Sequence, residues 1–462
     1  MILSLCAWEF LRQFEKQKTI ELDGLIQIFR EHWRDESWHE VLRLMAGMLD
    51  AKFTGEILEY LIDENGEAEN FSNLFLAAEC VSEVKNRNDI AAIASKLRER
   101  VKELTKYENS SASTPQEYDN LVYEIRRQAV AAVAATWKDD HETSPWLKQI
   151  AKSDNNWTVR QAAIQELARG WKDDPETSPW LKQIAKFDNN WTVRQAAIQE
   201  LARGWKDDPK TSPWLKQIAK SDNDWIVRQA AVQELARGWK DNPETLSWLK
   251  QIAQSDDDRN VRKIAVQELA RGWKDDPETL SWLKQIAQSD DDEDVRQAAV
   301  QELARGWKDE PETSPWLKQR AQFDDDKYVR CAAVQELAHG WKDDPDILPI
   351  LKQRAQFDDD KYVRCADDDK YVRCAAVQEL AHGWCKEDSE IFELLCDIAI
   401  NDPVYRDYDW QISPRQTALA DIIELYPDRP QTLELVRDLA QNDRDQNLRE
   451  FAQKKLAELE RK

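Results

Sequence analysis

Apolar residues recur at the three- and four-residue spacing of one α-helical face through most of the chain. Between Trp137 and Trp341 the whole pattern returns every 34 residues, at Trp137, Trp171, Trp205, Trp239, Trp273, Trp307 and Trp341. A fixed period of this length marks a repeat architecture. The copy from Trp171 to Gly204, WKDDPETSPWLKQIAKFDNNWTVRQAAIQELARG, serves as the type unit.

This unit predicts two helices. The first starts between Pro175 and Pro179, where Asp174 or Ser178 can cap and proline suits the first turn, and ends near Lys186. Its apolar stripe is Trp180, Leu181, Ile184 and Ala185. Asn190 precedes the second helix, and Asn156, Asp224, Asp258, Asp292 and Asp326 occupy the same position in other copies, as expected of residues that cap free backbone N–H groups. Val193, Ala197, Ile198 and Leu201 then face inward. Gly204 is expected to end the helix in the left-handed conformation, with Trp205 covering the turn.

One such pair cannot bury its own stripe, so neighbours must stack and share a core. The expected fold is all-α: a right-handed superhelical α-solenoid with about nine two-helix repeats after a small helical domain. Four regions follow: a helical module at 1–106, a polar linker at 107–119, the array at 120–383 and divergent capping repeats at 384–462. The array carries one irregularity, because DDDKYVRCA at Asp358–Ala366 is repeated at once at Asp367–Ala375. Nine residues make about 2.5 helical turns, so one unbroken helix would set the two copies on opposite faces. The first copy is expected to bulge while the second packs.

Composition narrows the function classes. A net charge of -24 repels phosphate backbones and anionic lipid, so neither nucleic acid nor membrane is an expected partner. The cysteines are odd in number (seven), include no C-x-x-C pair, and three of them, Cys331, Cys365 and Cys374, are copies of one position, which suggests reduced thiols in the cytoplasm. The apolar opening MILSLCAWEF lacks a basic n-region, and Glu9 and Arg12 interrupt it before a signal-peptide cleavage site would come.

No cofactor or metal is expected. His32 and His39 with Glu40 lack a third ligand at a suitable spacing, and the DDD turns at Asp256, Asp290, Asp324 and Asp358 lack the alternating acidic loop of a calcium site, so helix capping is their simpler role.

Two resemblances add to this reading. The run of acidic turn, V-R, small residues and an aliphatic residue (Asp188, Val193, Arg194, Ala197, Leu201) resembles the HEAT repeat, most closely the short HEAT-like repeats named after phycobilisome lyases. No tetratricopeptide W-x-x-L-G-x-x-Y pattern occurs. The HEAT resemblance implies a ladder between neighbouring repeats, joining Asp154, Asp188, Asp222, Asp256, Asp290 and Asp324 with Arg160, Arg194, Arg228, Arg262, Arg296 and Arg330. In the first module, CAWEF at Cys6–Phe10 and HWRDESWHEVLRLMAGML at His32–Leu49 resemble the helical region after the nucleotide-binding core of cyanobacterial NACHT-type STAND ATPases. That resemblance implies the sensor or regulatory arm of a signalling or defence NTPase, working with a separate NTPase or effector subunit. The chain itself has no G-x-x-x-x-G-K-[ST] loop.

While L-K-Q and Q-E-L-A hardly change between copies, the first two positions of each second helix do. They supply Trp157, Trp191, Trp225, Arg259, Glu293, Lys327 with Tyr328, and Lys370 with Tyr371, a row of aromatics and charges that a protein ligand could read. The alternative is that the tryptophans only cover the preceding loop. The expected function is therefore a non-catalytic protein-interaction scaffold. A bilin lyase of phycobiliproteins, or a subunit of one, is the alternative invited by the repeat's name.

Overall fold

A computed structural model describes residues 2–108, 115–356, 366–384, 390–403 and 413–460, which form 25 α-helices with no strand among them. The chain divides into two compact units, Met1–Glu234 and Leu235–Lys462. The first holds α1 (Ile2–Arg12), α2 (Leu22–His32), α3 (Glu36–Met48), α4 (Ala51–Asp63), α5 (Ser72–Glu83), α6 (Ala91–Leu104), α7 (Pro115–Thr136), α8 (Thr143–Ser153), α9 (Trp157–Gly170), α10 (Thr177–Phe187), α11 (Trp191–Gly204), α12 (Thr211–Ser221) and most of α13 (Trp225–Gly238). The second holds α14 (Pro243–Ser255), α15 (Arg259–Gly272), α16 (Thr279–Ser289), α17 (Glu293–Gly306), α18 (Thr313–Phe323), α19 (Lys327–Gly340) and α20 (Ile347–Ala355). It continues with α21 (Ala366–Trp384), α22 (Glu390–Asn401), α23 (Pro414–Leu425), α24 (Pro430–Asn442) and α25 (Gln446–Leu459).

Within a repeat, two short acidic turns fix the helix ends. Asp174 Oδ1 accepts the Glu176 N–H, 2.9 Å, and so shapes the turn into α10 without capping the helix itself. Ser178, the other expected cap, lies inside α10 and is buried. Between the helices Asn190 accepts N–H groups of both Thr192 and Val193, Asn156 and Asp326 cap α9 and α19 in the same way, and Asp258 and Asp292 cap α15 and α17 through one N–H each.

The expected left-handed glycine is not found. Gly204 is the last helical residue of α11, and none of the described glycines has positive φ. The helix ends instead at Trp205, whose φ of -122° breaks the helical geometry while its N–H still bonds Leu201 O.

Second helices pack on second helices: α7 on α9 and α9 on α11 in the first unit, and α15, α17, α19, α21 and α23 in succession in the second. Paired alanines, Ala162 with Ala163 and Ala196 with Ala197, are buried there and let the axes approach toward the short end of the ~8–10 Å helix spacing. Leu181, Val193, Ile198 and Leu201 are fully buried.

Ahead of the array, Leu25, Phe29, Trp33, Leu42, Met45, Leu58 and Leu61 form a core that runs on without a break into Ile125, Ala129 and Val133 of α7. Tyr107, at the start of the expected linker, packs edge-on against Phe71 and donates to Glu67, 2.8 Å. The first copy of the nine-residue duplication lies, up to Cys365, outside the described residues. The second copy packs, with Val372 buried in α21. None of the described helices is long and apolar enough to cross a membrane.

Candidate functional site

The turn between the two helices of a repeat places the aspartate and arginine positions side by side. Arg160 donates to its own repeat's Asp154 carbonyl, 2.9 Å, and reaches across to Asp188 of the next repeat, 3.1 Å. Arg194 repeats this with the Asp188 carbonyl, 2.9 Å, and Asp222 and Asp224, both 3.3 Å. In the second unit Arg262 takes the Asp256 carbonyl, 2.9 Å, and Asp290, 3.0 Å. Each receiving aspartate also accepts the N–H two residues on, as Asp188 does from Asn190, 2.8 Å, so one carboxylate ties a turn and a rung together.

One rung is displaced. Arg296 reaches Asp326, 2.5 Å, rather than Asp324, because Arg320 stands where Ile184, Ile218, Ile252 and Ile286 stand in other copies and pairs with Asp324 at 3.1 Å. Arg228 and Arg330 hold the carbonyls of Asp222, 2.9 Å, and Asp324, 2.6 Å. Three further rungs were not marked in the sequence: Arg126 with Asp154, 2.8 Å, Arg373 with Asp402, 3.2 Å, and Arg415 with Asp443, 3.0 Å. The copies around Arg126 and Arg415 have drifted, while that of Arg373 keeps the sequence of α19, and the arginine position survives in all three.

A second line of carboxylates, on the last turns of the second helices, was also missed. In the second unit Arg237 reaches Glu268, 2.9 Å, Arg271 reaches Glu302, 2.9 Å, and Arg305 reaches Glu336, 3.3 Å. Histidine then replaces arginine, with His339 near Glu379, 3.2 Å, and His382 near Asp421, 3.5 Å. In the first unit the pairs stay within one helix, Arg169 with Glu166 and Arg203 with Glu200, both 3.1 Å. Burial pushes the carboxyls of Glu166, Glu200, Glu336 and Glu379 above the usual range, and that of Asp421 up to about 6.

The variable row divides by chemistry between the two units. In the first, Trp157 and Trp191 are each 42% exposed at the start of α9 and α11, while Val159 and Val193, two residues on, are fully buried. Trp225 is half-buried at the start of α13. Tyr123 occupies the equivalent position in α7, three residues before Arg126 as Trp157 stands three before Arg160, and was not singled out in the sequence. A groove of about 390 Å³ runs between α7 and α9 from Tyr123 to Trp157, lined also by Glu124, Arg127, Gln161 and Gln165.

In the second unit the row is charged and self-paired. Arg259 reaches Asp294, 3.2 Å, and Lys327 lies over the rings of Tyr328 and Tyr371, which themselves meet at 5.9 Å. Glu293 is half-buried, and Lys370 is buried against the Tyr371 ring, too enclosed to offer its charge to a partner. His32 and His39 do not converge: His32 stacks on Trp38 at 3.7 Å, and His39 bonds the Trp33 carbonyl at 2.8 Å.

Comparison with known proteins bears on the repeats. The family described as HEAT repeats matches residues 121–202, 144–236, 212–304 and 280–366, which together span more than half of the chain. Similar solved structures include an Escherichia coli protein, YibA, at 20% identity and a TM-score of 0.33, covering 63% of this chain and 95% of that one. They also include Kap121p bound to the SUMO protease Ulp1p, at 14% and 0.45, covering 97% and 50%, and Kap95p with RanGDP, at 13% and 0.43, covering 97% and 64%. The chain thus spans half the length of that Kap121p. No curated protein matches its sequence significantly. With 34-residue helix pairs stacked second helix on second helix and the family match extending over most of them, this protein belongs to the HEAT-repeat family.

Proposed function

We propose that this chain is a non-catalytic protein-recognition scaffold and that Trp157 and Trp191, with Tyr123 and Trp225 beside them, form its recognition surface. One observation carries this reading. In helices whose valines, alanines and leucines are buried almost completely, Trp157 and Trp191 each keep 42% of their surface open. Large rings left open in successive repeats are the kind of residue that dominates binding energy at protein interfaces.

The charged row of Arg259, Glu293, Lys327, Tyr328 and Tyr371 extends the proposal to the second unit. The finer reading is a sensor or regulatory arm for a NACHT-type STAND signalling or defence NTPase in the cytoplasm, acting through a separate NTPase or effector subunit. Its support is the resemblance carried by Cys6–Phe10 and His32–Leu49. The partner is a protein, and the net charge of -24 argues against nucleic acid or membrane.

The test is a Trp157→Ala/Trp191→Ala variant of the full chain, assayed for crosslinked capture of its protein partner and for thermal stability. Loss of one interfacial tryptophan of ~2 kcal/mol weakens binding roughly 30-fold, whereas surface truncation changes stability by only about ±0.5 kcal/mol. A large fall in melting temperature would instead show that the rings serve to cover the loops before them.

A further inference from the structure

We infer that the partner lies on the first unit as a polypeptide segment in extended conformation, crossing α7, α9 and α11 with its backbone held by the glutamine amides of α9 and α11. This deepens the reading of the aromatic row and rests on it.

The observation is a second feature of the same helix face. Trp157 is followed at four and eight residues by Gln161 and Gln165, Trp191 by Gln195 and Gln199, and Trp225 by Gln229 and Gln233. Residues four apart share a helical face, so each of these helices carries one ring and two amides in a stripe. All six glutamines are half-exposed, and among the described residues none of their side-chain amides has a hydrogen-bond partner. The neighbouring turn residues Asn156, Asp188, Arg160 and Arg194 are all engaged.

An amide side chain offers one acceptor and two donors, the complement of a peptide unit. The repeat spacing fits as well. Second helices stacked ~8–10 Å apart match about three residues of a chain rising ~3.3 Å per residue. Each repeat would then meet the same backbone atoms in turn, with every third side chain entering a gap between successive rings. The groove of about 390 Å³ between Tyr123 and Trp157 is one such gap. A helical partner would call for an apolar floor that receives residues at i, i+3 and i+4, and here the lining is polar, with Gln161, Gln165 and the Glu124–Arg127 ion pair. Single-stranded nucleic acid stacks on aromatics too, but needs a positive channel, which a chain of charge -24 does not favour.

The experiment pans the full chain against displayed linear peptides of random sequence, about 12 residues long, enough to cross about four repeats. Oligothymidylate serves as a second probe. The expected result is a set of peptides with apolar residues at every third position. Their binding should fall at least about tenfold on Gln161→Ala/Gln195→Ala at unchanged melting temperature, and likewise on N-methylation of the intervening peptide nitrogens. Peptides with helical spacing, peptides indifferent to both changes, no enriched peptide, or displacement by oligothymidylate would each overturn the inference. If Trp157→Ala/Trp191→Ala leaves the selected peptides bound, the recognition surface itself is misassigned. If that variant loses them while the glutamine variant does not, only the backbone-gripping inference falls.

Discussion

Replacing Gly272, Gly306 and Gly340 with alanine should stabilise the protein. Each is the last residue of its helix, α15, α17 or α19, and the chain turns only at the following tryptophan, with φ of -123°, -122° and -129°. None of the three has positive φ, and a Cβ built on any of them meets nothing within 4 Å. Alanine therefore adds no clash and no strain. It removes conformational freedom from the unfolded chain, a gain of ~0.4–1 kcal/mol per site where the native backbone tolerates it. The sites are well separated, so three changes sum to about 2 kcal/mol, or roughly 4–8 °C in a cooperative unit of about 150–250 residues. Urea titration with an unchanged m-value is the sharper assay, since it separates stability from altered compactness. Gly66→Ala is the opposite control: its Cβ would collide with Oδ1 of Asn73, a buried side chain that donates to the Leu61 and Glu64 carbonyls at 2.8 and 3.0 Å. If the triple variant lost about 1 kcal/mol per site, the glycines would be left-handed after all and the ending described for these helices would be wrong.

Two further outcomes follow from the ladders. Arg160→Ala leaves the Asp188 carboxylate, 9% exposed, without its cross-repeat partner, and should cost ~3 kcal/mol in chemical denaturation, while Lys at the same position should recover only part because it cannot hold the carbonyl and the carboxylate together. Asp421 has its folded pKa raised from 3.8 to about 6, chiefly by burial, so it supports the fold when protonated and that support is lost as pH rises between those values. Asp421→Asn should raise the melting temperature relative to the parent at pH 7, with the gain shrinking toward pH 4; an equal gain at both would show that the charge is not the cause.

How much of this was legible in the sequence depends on how local each feature is. The cap at Asn190 and the inward set Val193, Ala197, Ile198 and Leu201 are properties of one helix, and they stand in the structure as the pattern implies. Glycine after the last apolar residue is ambiguous, because a helix can end on it or just beyond it. Here the turn is made by the next residues, where the Asp174 N–H bonds the Trp171 carbonyl and Asp174 shapes the entry to α10. Nothing in Gly204 itself distinguishes the two.

Features set by the register between repeats were harder to see. That Arg237 meets Glu268 rather than its own helix's Glu234 position follows from how α-helices stack, not from a spacing along the chain. The displaced rung at Arg296 shows the same limit from the other side: one substitution, arginine for isoleucine at 320, supplies a competing donor to Asp324 and sends the neighbouring arginine to Asp326. Tyr123 was hidden because its copy lacks the opening tryptophan and acidic turns that mark the others, and only its distance from Arg126 places it in the row. The surface proposed for recognition is thus the part of the repeat that packing leaves undetermined. Val159, Arg160 and Leu167 are each held by a neighbour, whereas on the same face Trp157 stays 42% exposed and Gln161 and Gln165 are half-exposed. A face that keeps one large ring and two amides partly open to solvent in three successive copies is where function has room to act.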